Sequence, residues 1–407
     1  VNLSSLNPGR LAAVRVLIGV EDGAHAEDLL GELAPQASAD RGLAWHLVLG
    51  VLRRQGSLDW LLSPLLSRPL GKLDKSVRAA LRVGAYELAF SGTARHAAVD
   101  QAVEAARAAG SPGGAGLVNA VLRKVDPARL PDDPTLDLPP WLAERWRGMG
   151  EGSLAWIARL REAAPLSLVW RGAPVAELAT APALAGGEVV EGAAVLVDQH
   201  GPIEAMPGFR EGAWWVMDPA AVRVADLGWE ALGRPTEGWT ALDACAAPGG
   251  KSFRLATRGA AVTAVDAQAR RLQKVGEGAR RLGLPVQEAV HDWLRGPCAT
   301  LGLYDLVLVD APCTGLGTLR RHPEIKWRRL RSDPAAMAIR QVPILQAAAA
   351  HVRPGGVVVY AVCSPEPEEG IRVVEALQGW SIERSLRFAP PTGDEDAFQA
   401  FLLRKAG

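Results

Sequence analysis

The sequence is poor in the residues that staple a chain or anchor it. Its four cysteines, Cys245, Cys298, Cys313 and Cys363, are widely spaced and contain no C-x-x-C pair. That count and spacing fit neither a disulfide framework nor a zinc site, and they point to a reducing cytoplasm. No apolar run approaches the roughly 18 residues that a membrane-spanning helix needs. A signal-peptide pattern is also missing, because Arg15 interrupts LAAVRVLIGV and no small-residue cleavage site follows. Nor is there an excess of either charge: 45 Lys and Arg balance 45 Asp and Glu. This argues against a nonspecific polyanion binder while leaving local basic patches open. Neither a membrane nor a metal is expected as a partner, and a monomer is.

The 407 residues suffice for two or three domains with their own cores. From Leu11 to Val125 apolar residues recur three or four apart in LAAVRVL, GLAWHLVLGVLRRQGSLDWLL, SVRAALRVGAYELAF and AAVDQAVEAARAAG, which predicts an all-helical domain. Asp40 and Asp100 stand where N-caps would, and Gly56, Gly92 and Gly110 fall near helix ends. Basic residues cluster here: Arg53, Arg54, Lys72, Lys75, Arg78, Arg82, Arg123 and Lys124. Spacing alone leaves two readings of these clusters, solvated helix faces or a surface for a polyanion.

PDDPTLDLPP, residues 131–140, reads as a linker and PPWLAERWRGMG as a short helix after it. Strand-like LSLVW, EVVE and AAVLVD alternate with the helical VAELATAPALA between Pro165 and Gly208, which predicts a small α+β module. Trp214 and Trp215 read as packing residues rather than base-stacking platforms.

Beyond Trp239 the pattern changes to alternating strands and helices. TALDA, AVTAV, PVQEAV, DLVLVD and GGVVVYAV mark the strands of a doubly wound, Rossmann-like α/β sheet. Ligands of such sheets lie across the carboxyl ends of the strands. The first strand ends in ALDACAAPGGKSF, a glycine turn running into a helix, where backbone N–H groups are free to hold a nucleotide-like ligand. Asp266 ends the second strand, placed to accept ribose hydroxyls, and His291-Asp292 follow the third. Asp310-Ala311-Pro312-Cys313 follow the fourth strand and Cys363-Ser364-Pro365 the fifth. Two thiols and three carboxylates therefore converge on one rim.

The N-terminal stretches GVLRRQGSLDWLL, LRVGAYELAF, HAAVDQAVEAA and GLVNAVLRKV resemble the all-helical NusB-like RNA-binding domain. DACAAPGGK, DAPCTGLGTLRRHPEIKW and YAVCSPEPEEG are similar to the cofactor loop, longest motif and nucleophile motif of S-adenosylmethionine-dependent RNA cytosine-5 methyltransferases. With the helical domain, the likeness is to the RsmB/Sun (Fmu) family of bacterial 16S rRNA methyltransferases. The resemblance implies three parts: residues 1–128, a NusB-like RNA-binding domain; 129–235, a linker with a small α+β RNA-binding module; and 236–407, the methyltransferase domain. It implies S-adenosylmethionine as cofactor and 16S ribosomal RNA as partner, free or in a small-subunit assembly intermediate.

Carbon 5 of cytosine is a poor nucleophile, so a thiolate must first add to carbon 6, and only cysteine combines nucleophilicity with partial ionisation near neutral pH. By resemblance that thiolate is Cys363. Cys313 then assists removal of the carbon-5 proton or release of the adduct, and Asp310 bonds the polar edge of the base. Cys245, Ala246, Ala247, Pro248, Gly249, Gly250 and Lys251 form the cofactor loop. Lys251 orients either the cytosine or the methionine carboxylate. Asp266 holds the ribose, Asp292 the adenine amino group, and Arg271 supports the site. Arg320, Arg321, Lys326 and Arg328, in the densest basic segment, read as phosphate contacts. The family pattern is broken at Val362, where Thr is usual, at Met217 for Gln, and at Ala397 and Gln399 for Gly and Phe.

Three other readings remain at this stage. Pro312-Cys313 also resembles the Pro-Cys nucleophile of DNA cytosine-5 methyltransferases. The substrate could be a tRNA. The chain could be an RNA-binding assembly factor whose methyltransferase domain is a relic, though every reacting group is retained.

Overall fold

A computed structural model describes residues 6–172, 193–196, 203–389 and 395–405. The chain forms two compact units. One runs to Ala163 and includes Leu319–Arg328, and the other holds Ala164–Thr318 and Arg329 onward.

The first unit is helical, as its periodicity predicts. Helices Pro8–Glu21, Ala26–Leu33, Ser38–Leu62, Lys75–Phe90, Arg95–Ala108 and Ala115–Leu122 turn their apolar stripes inward. Ala13, Val14, Leu47, Val51, Leu81, Val118 and Leu122 meet in one core. The N-caps are Asn7, whose side chain accepts from the N–H of Arg10, and Asp74, which accepts from that of Ser76. Asp40 and Asp100, expected as caps, lie inside helices instead. Gly92 and Gly110 do follow helix ends, at φ of 66° and 108°.

Gly56 is not at a helix end but within Ser38–Leu62, and a Cβ there would stand 1.7 Å from the carbonyl oxygen of Leu136. Glycine is needed because the supposed linker packs against this helix. Residues Pro134–Asp137 form a 3-10 turn whose buried Asp137 accepts from Ser57 N and Oγ, both at 2.8 Å, and from Arg161 Nε at 2.7 Å. The stretch following residue 128 is therefore part of the helical unit up to Ala163. Helix Pro140–Arg147 forms where expected.

Several of the clustered basic residues are paired within this unit. Arg82 lies between Asp59 and Glu21, Arg78 pairs with Glu21, and Lys75 with Asp22. Arg54 stacks over the Phe90 ring at 4.8 Å. Lys72, Arg123 and Lys124 are exposed.

In the second unit, β1 (Leu166–Trp170) pairs antiparallel with β2 (Ala193–Leu196) and β3 (Trp214–Val216). Trp214 and Trp215 are buried in this part of the unit, as packing residues should be. The expected strand EVVE and helix VAELATAPALA lie outside the described residues. Helix Pro219–Ala231 follows, capped by Asp218.

The larger sheet contains β4 (Trp239–Asp243), β5 (Ala260–Asp266), β6 (Val286–Val290), β7 (Tyr304–Asp310), β8 (Val352–Val362), β9 (Trp380–Phe388) and β10 (Phe398–Lys405). Their order is β6-β5-β4-β7-β8-β10-β9. The first five strands are those read from sequence, and they are parallel. The sheet is mixed rather than wholly parallel, because β10 runs antiparallel between β8 and β9.

Each inner strand buries both faces. Ala241, Val262, Leu308 and Val359 belong to one core, and Leu242, Val265, Val307 and Val358 to the other. Strand order reverses at β4, whose neighbours are β5 and β7, so a cleft opens beyond its carboxyl end. The glycine turn stands there.

Candidate active site

β4 ends at Asp243, and the chain peels off while still tied to both neighbours. Ala244 N donates to Leu308 O at 2.8 Å and Ala246 N to Val265 O at 2.9 Å. The Ala247–Pro248 peptide is cis. Gly249 takes φ of 115° and precedes helix Gly250–Thr257, and a Cβ on it would meet the Phe253 ring at 2.4 Å. Residues Cys245 to Lys251 thus wrap the start of a helix, as expected. Burial and the neighbouring Asp243 push the Cys245 thiol well up, which leaves it a neutral lining residue.

Carboxylates surround this turn. Asp243 is buried and accepts from Ser252 Oγ at 2.7 Å, with burial raising its pKa to about 6. Asp266, at the tip of β5, accepts from Gln268 N at 2.9 Å. Arg271 approaches the same carboxylate at 3.8 Å and donates to Ala247 O at 3.1 Å, linking the turn to Asp266. Asp292 follows β6 and caps the short turn Trp293–Arg295. Asp310 ends β7 and accepts from Lys251 Nζ at 2.6 Å.

Burial alone would discharge Lys251, but the charge and hydrogen bond of Asp310 outweigh it and raise its pKa, so the side chain is an ammonium. That ammonium lies 5.4 Å from the centre of the Phe398 ring. Asp266, Asp292 and Asp310 thus stand after or at the ends of neighbouring strands around a helix start, a setting that can hold a nucleoside. Among the described residues no cluster of His, Cys, Asp and Glu could hold a metal ion.

The two thiols come together. Cys313 Sγ and Cys363 Sγ are 3.2 Å apart, both half-buried, at the carboxyl ends of adjacent strands β7 and β8. The hydrogen bond to Cys363 and burial push the Cys313 thiol well above its ordinary value, so it stays protonated.

Gly317 stands between the two loops. Its N–H donates to Cys363 O at 2.9 Å and its carbonyl accepts from Ala397 N at 3.0 Å. A Cβ on it would lie 1.9 Å from Ala397 O.

Gln399 is buried opposite Val362 on β10, and its amide donates to Ser364 O at 2.8 Å and Glu366 O at 3.0 Å. The departure at 399 therefore carries hydrogen bonds to the segment after Cys363. Val362 is an apolar core residue, and Met217 lies against the start of the glycine-turn helix, 3.7 Å from the position of a Gly250 Cβ.

Arg320, Lys326 and Arg328, read from sequence as phosphate contacts, belong to the helical unit, and each donates to its backbone. Lys326 is fully buried with Nζ donating to Arg53 O at 3.0 Å. Arg320 donates to Ala163 O at 3.0 Å and accepts from Arg53 through its own carbonyl. Arg328 donates to Val20 O at 3.0 Å and to Ala24 O. Arg321 is half-exposed. A basic run looks solvated in sequence, and only the partners it meets reveal that it is an anchor.

Sequence reasoning also missed Asp243 and Phe398, and it noted Gln399 only as a departure from the family pattern. Asp243 heads the quoted DACAAPGGK motif, so the signal was present. The other two sit on β10, a strand without an alternating pattern.

Comparison with known proteins agrees with this geometry. Residues 231–395 match the family model described as 16S rRNA methyltransferase RsmB/F, and residues 7–127 match the NusB family. Ribosomal RNA small subunit methyltransferase B of Thermus thermophilus is 40% identical over 90% of this chain and 86% of its own length. The protein of that name from Cronobacter sakazakii is 32% identical over 92% of this chain and 90% of its own. Among solved structures, PH0851 superposes with a TM-score of 0.79 at 21% identity, covering 98% of this chain and 99% of that one. A methyltransferase homolog protein from Pyrococcus horikoshii reaches 0.51 at 20% identity, over 65% and 94%. The chain belongs to the ribosomal RNA small subunit methyltransferase B family, the RsmB/F methyltransferases, with a NusB-type helical domain ahead of the catalytic one.

Proposed function

We propose that the protein transfers a methyl group from S-adenosylmethionine to carbon 5 of a cytosine in 16S ribosomal RNA, with Cys363 as the attacking thiolate. The observation that carries the reading is the 3.2 Å approach of Cys313 and Cys363 beside the Lys251–Asp310 pair. The sulfonium of the bound cofactor supplies the electrophilic methyl group. Glycine-turn residues 245–251, with Asp266, Asp292 and Arg271, hold its nucleoside and amino-acid parts.

Cys363 forms a bond to carbon 6 of the base, and the ring electrons displaced toward carbon 5 make that carbon nucleophilic. Lys251 and Asp310 face the polar edge of the ring, where charge develops, and offset it in a partly desolvated site. After methylation a base removes the carbon-5 proton, the carbon 6–sulfur bond breaks, and Cys363 leaves as thiolate. Cys313, held as a thiol against that sulfur, stabilises the departing thiolate, which favours release of the adduct as its task. The target base must leave its stack to reach the thiols.

Separate variants test the assignment. Cys363→Ala abolishes methyl transfer to 16S rRNA. Cys313→Ala accumulates a denaturation-resistant protein–RNA adduct on a gel. An adduct that builds up in the Cys363 variant instead would reverse the roles, and bisulfite sequencing of rRNA from a deletion strain checks both the substrate and carbon 5.

A further inference from the structure

Glu369 lies outside every motif role assigned above, yet it is fully buried within the unit that carries the thiols. Its Oε1 accepts from Thr314 N at 2.7 Å and from Gln341 Nε2 at 3.3 Å. Its Oε2 accepts from Ser364 Oγ at 2.6 Å and from Thr314 Oγ1. Thr314 is the residue after Cys313, and Ser364 is the residue after Cys363. One carboxylate therefore spans two loops that are fifty residues apart in the chain.

The surroundings hold this carboxylate in turn. Tyr360 donates its hydroxyl to Glu369 O at 2.6 Å, and Gln341 also donates to Pro312 O at 2.9 Å. Burial raises the pKa of Glu369, and its hydrogen bonds to Ser364, Thr314 and Gln341 oppose that rise. A carboxyl group so placed is expensive unless every lone pair is used, and here four donors converge on it. An apolar residue would stabilise a core more simply, so the group is better explained by the alignment it imposes.

We propose that Glu369 is the positioning residue of the thiol pair: its carboxylate locks the backbone and hydroxyl of Thr314, after Cys313, to the hydroxyl of Ser364, after Cys363, and so keeps the two sulfurs facing each other. The inference rests on the reading of these cysteines as the catalytic pair. Its test separates the two claims by measuring thiol juxtaposition without RNA.

The full-length protein and its Glu369→Ala and Glu369→Gln variants are equilibrated in glutathione buffers. Glutathione disulfide oxidises the pair, each Cys313–Cys363 bond formed releasing two reduced glutathione molecules. Mass spectrometry of the peptide linking 313 to 363 keeps Cys245 and Cys298 out of the measurement. The ratio gives the effective concentration of one thiol at the other.

The alanine variant lowers that concentration by about 10-fold or more, because the charged bridge is lost and the Gly317–Cys363 and Thr314–Ser364 contacts that remain hold the loops less firmly. Glutamine can keep its oxygen on Thr314 N and turn its amide to the hydroxyls, so it stays within about 3-fold of the native value. S-adenosylmethionine affinity stays within about 2-fold in both variants, and single-turnover methyl transfer falls with the effective concentration at unchanged KM.

Should Glu369→Ala fail to fold, Ser364→Ala severs one side of the bridge and predicts a fall of about 3-fold. An unchanged effective concentration in Glu369→Ala or Ser364→Ala overturns the proposal. So does an equal loss in the Ala and Gln variants together with lost cofactor binding. A fall in thiol juxtaposition without any effect on methylation would instead overturn the catalytic reading and leave Glu369 its role.

Discussion

At the scale of single residues, the site pairs one permanent charge with one reactive sulfur. Lys251 is kept cationic in a buried position chiefly by the charge and hydrogen bond of Asp310, with Asp243 adding to them, so the pair acts as a unit. Asp310→Asn leaves an uncompensated ammonium, and because breaking a buried pair is more costly than never having built it, stability falls by about 3 kcal/mol. Methyl transfer falls by roughly 100-fold or more as stabilisation of developing charge is lost. Denaturant melts and single-turnover assays read the two effects separately. A variant with native stability and native rate would remove Asp310 from both roles. The thiols divide their labour in a similar way. Cys313 stays protonated because it hydrogen-bonds Cys363 in a buried setting, which agrees with the proposal that Cys363 is the attacking sulfur.

At the scale of elements, two loops after adjacent parallel strands must be brought within reach of one base. Gly317 is the closest point between them, with Cys363 O on one side and Ala397 O on the other. Gly317→Ala forces a methyl group to within 1.9 Å of a backbone oxygen, so β10 or the Cys363 loop must move. The expected outcome is a loss of activity of about 100-fold, since small displacements of reacting groups have large effects on rate. Cofactor affinity, set by the turn after β4, stays within a few-fold by isothermal titration. Equal losses of both would show that the whole edge of the sheet, rather than the Cys363 loop, depends on this glycine. Its partner Ala397, just before β10, is 80 residues away in sequence, and no spacing rule links them.

At the scale of the whole molecule, the chain divides into two units whose boundaries do not follow its sequence order. Residues 319–328 leave the methyltransferase part and belong to the helical unit, where Lys326 is fully buried. Burial pushes the Lys326 amine down to about 7, with the charges of Arg53, Arg161 and Arg54 acting in the same direction and Asp137 opposing them. The native state therefore releases this proton near pH 7, while the unfolded chain holds it to about pH 10.5. Between those limits the unfolded state binds more protons, so this group makes stability rise with pH. Native stability measured against Lys326→Met increases from pH 7 to 9 by up to about 1.4 kcal/mol per unit. A pH-independent difference would mean that the amine is not desolvated.

The residues themselves determined much of this protein. Period-3.6 stripes prescribed the helical unit, five short apolar runs prescribed the parallel strands, and DACAAPGGK, DAPCT and YAVCS named the groups proposed to do the chemistry. These signals are local, and each is set by neighbours within a turn or a strand. What lay beyond them depends on contacts between distant segments. The 3.2 Å meeting of the sulfurs follows from the pairing of β7 with β8. Glu369 matters only because those strands stand side by side and Gln399 because β10 pairs with β8, and the basic run around Lys326 became an anchor because backbone carbonyls of another helix were waiting for it. Side-chain type sets what a group can do, but the dielectric and the partners it meets decide what it does, and both are properties of the folded chain alone.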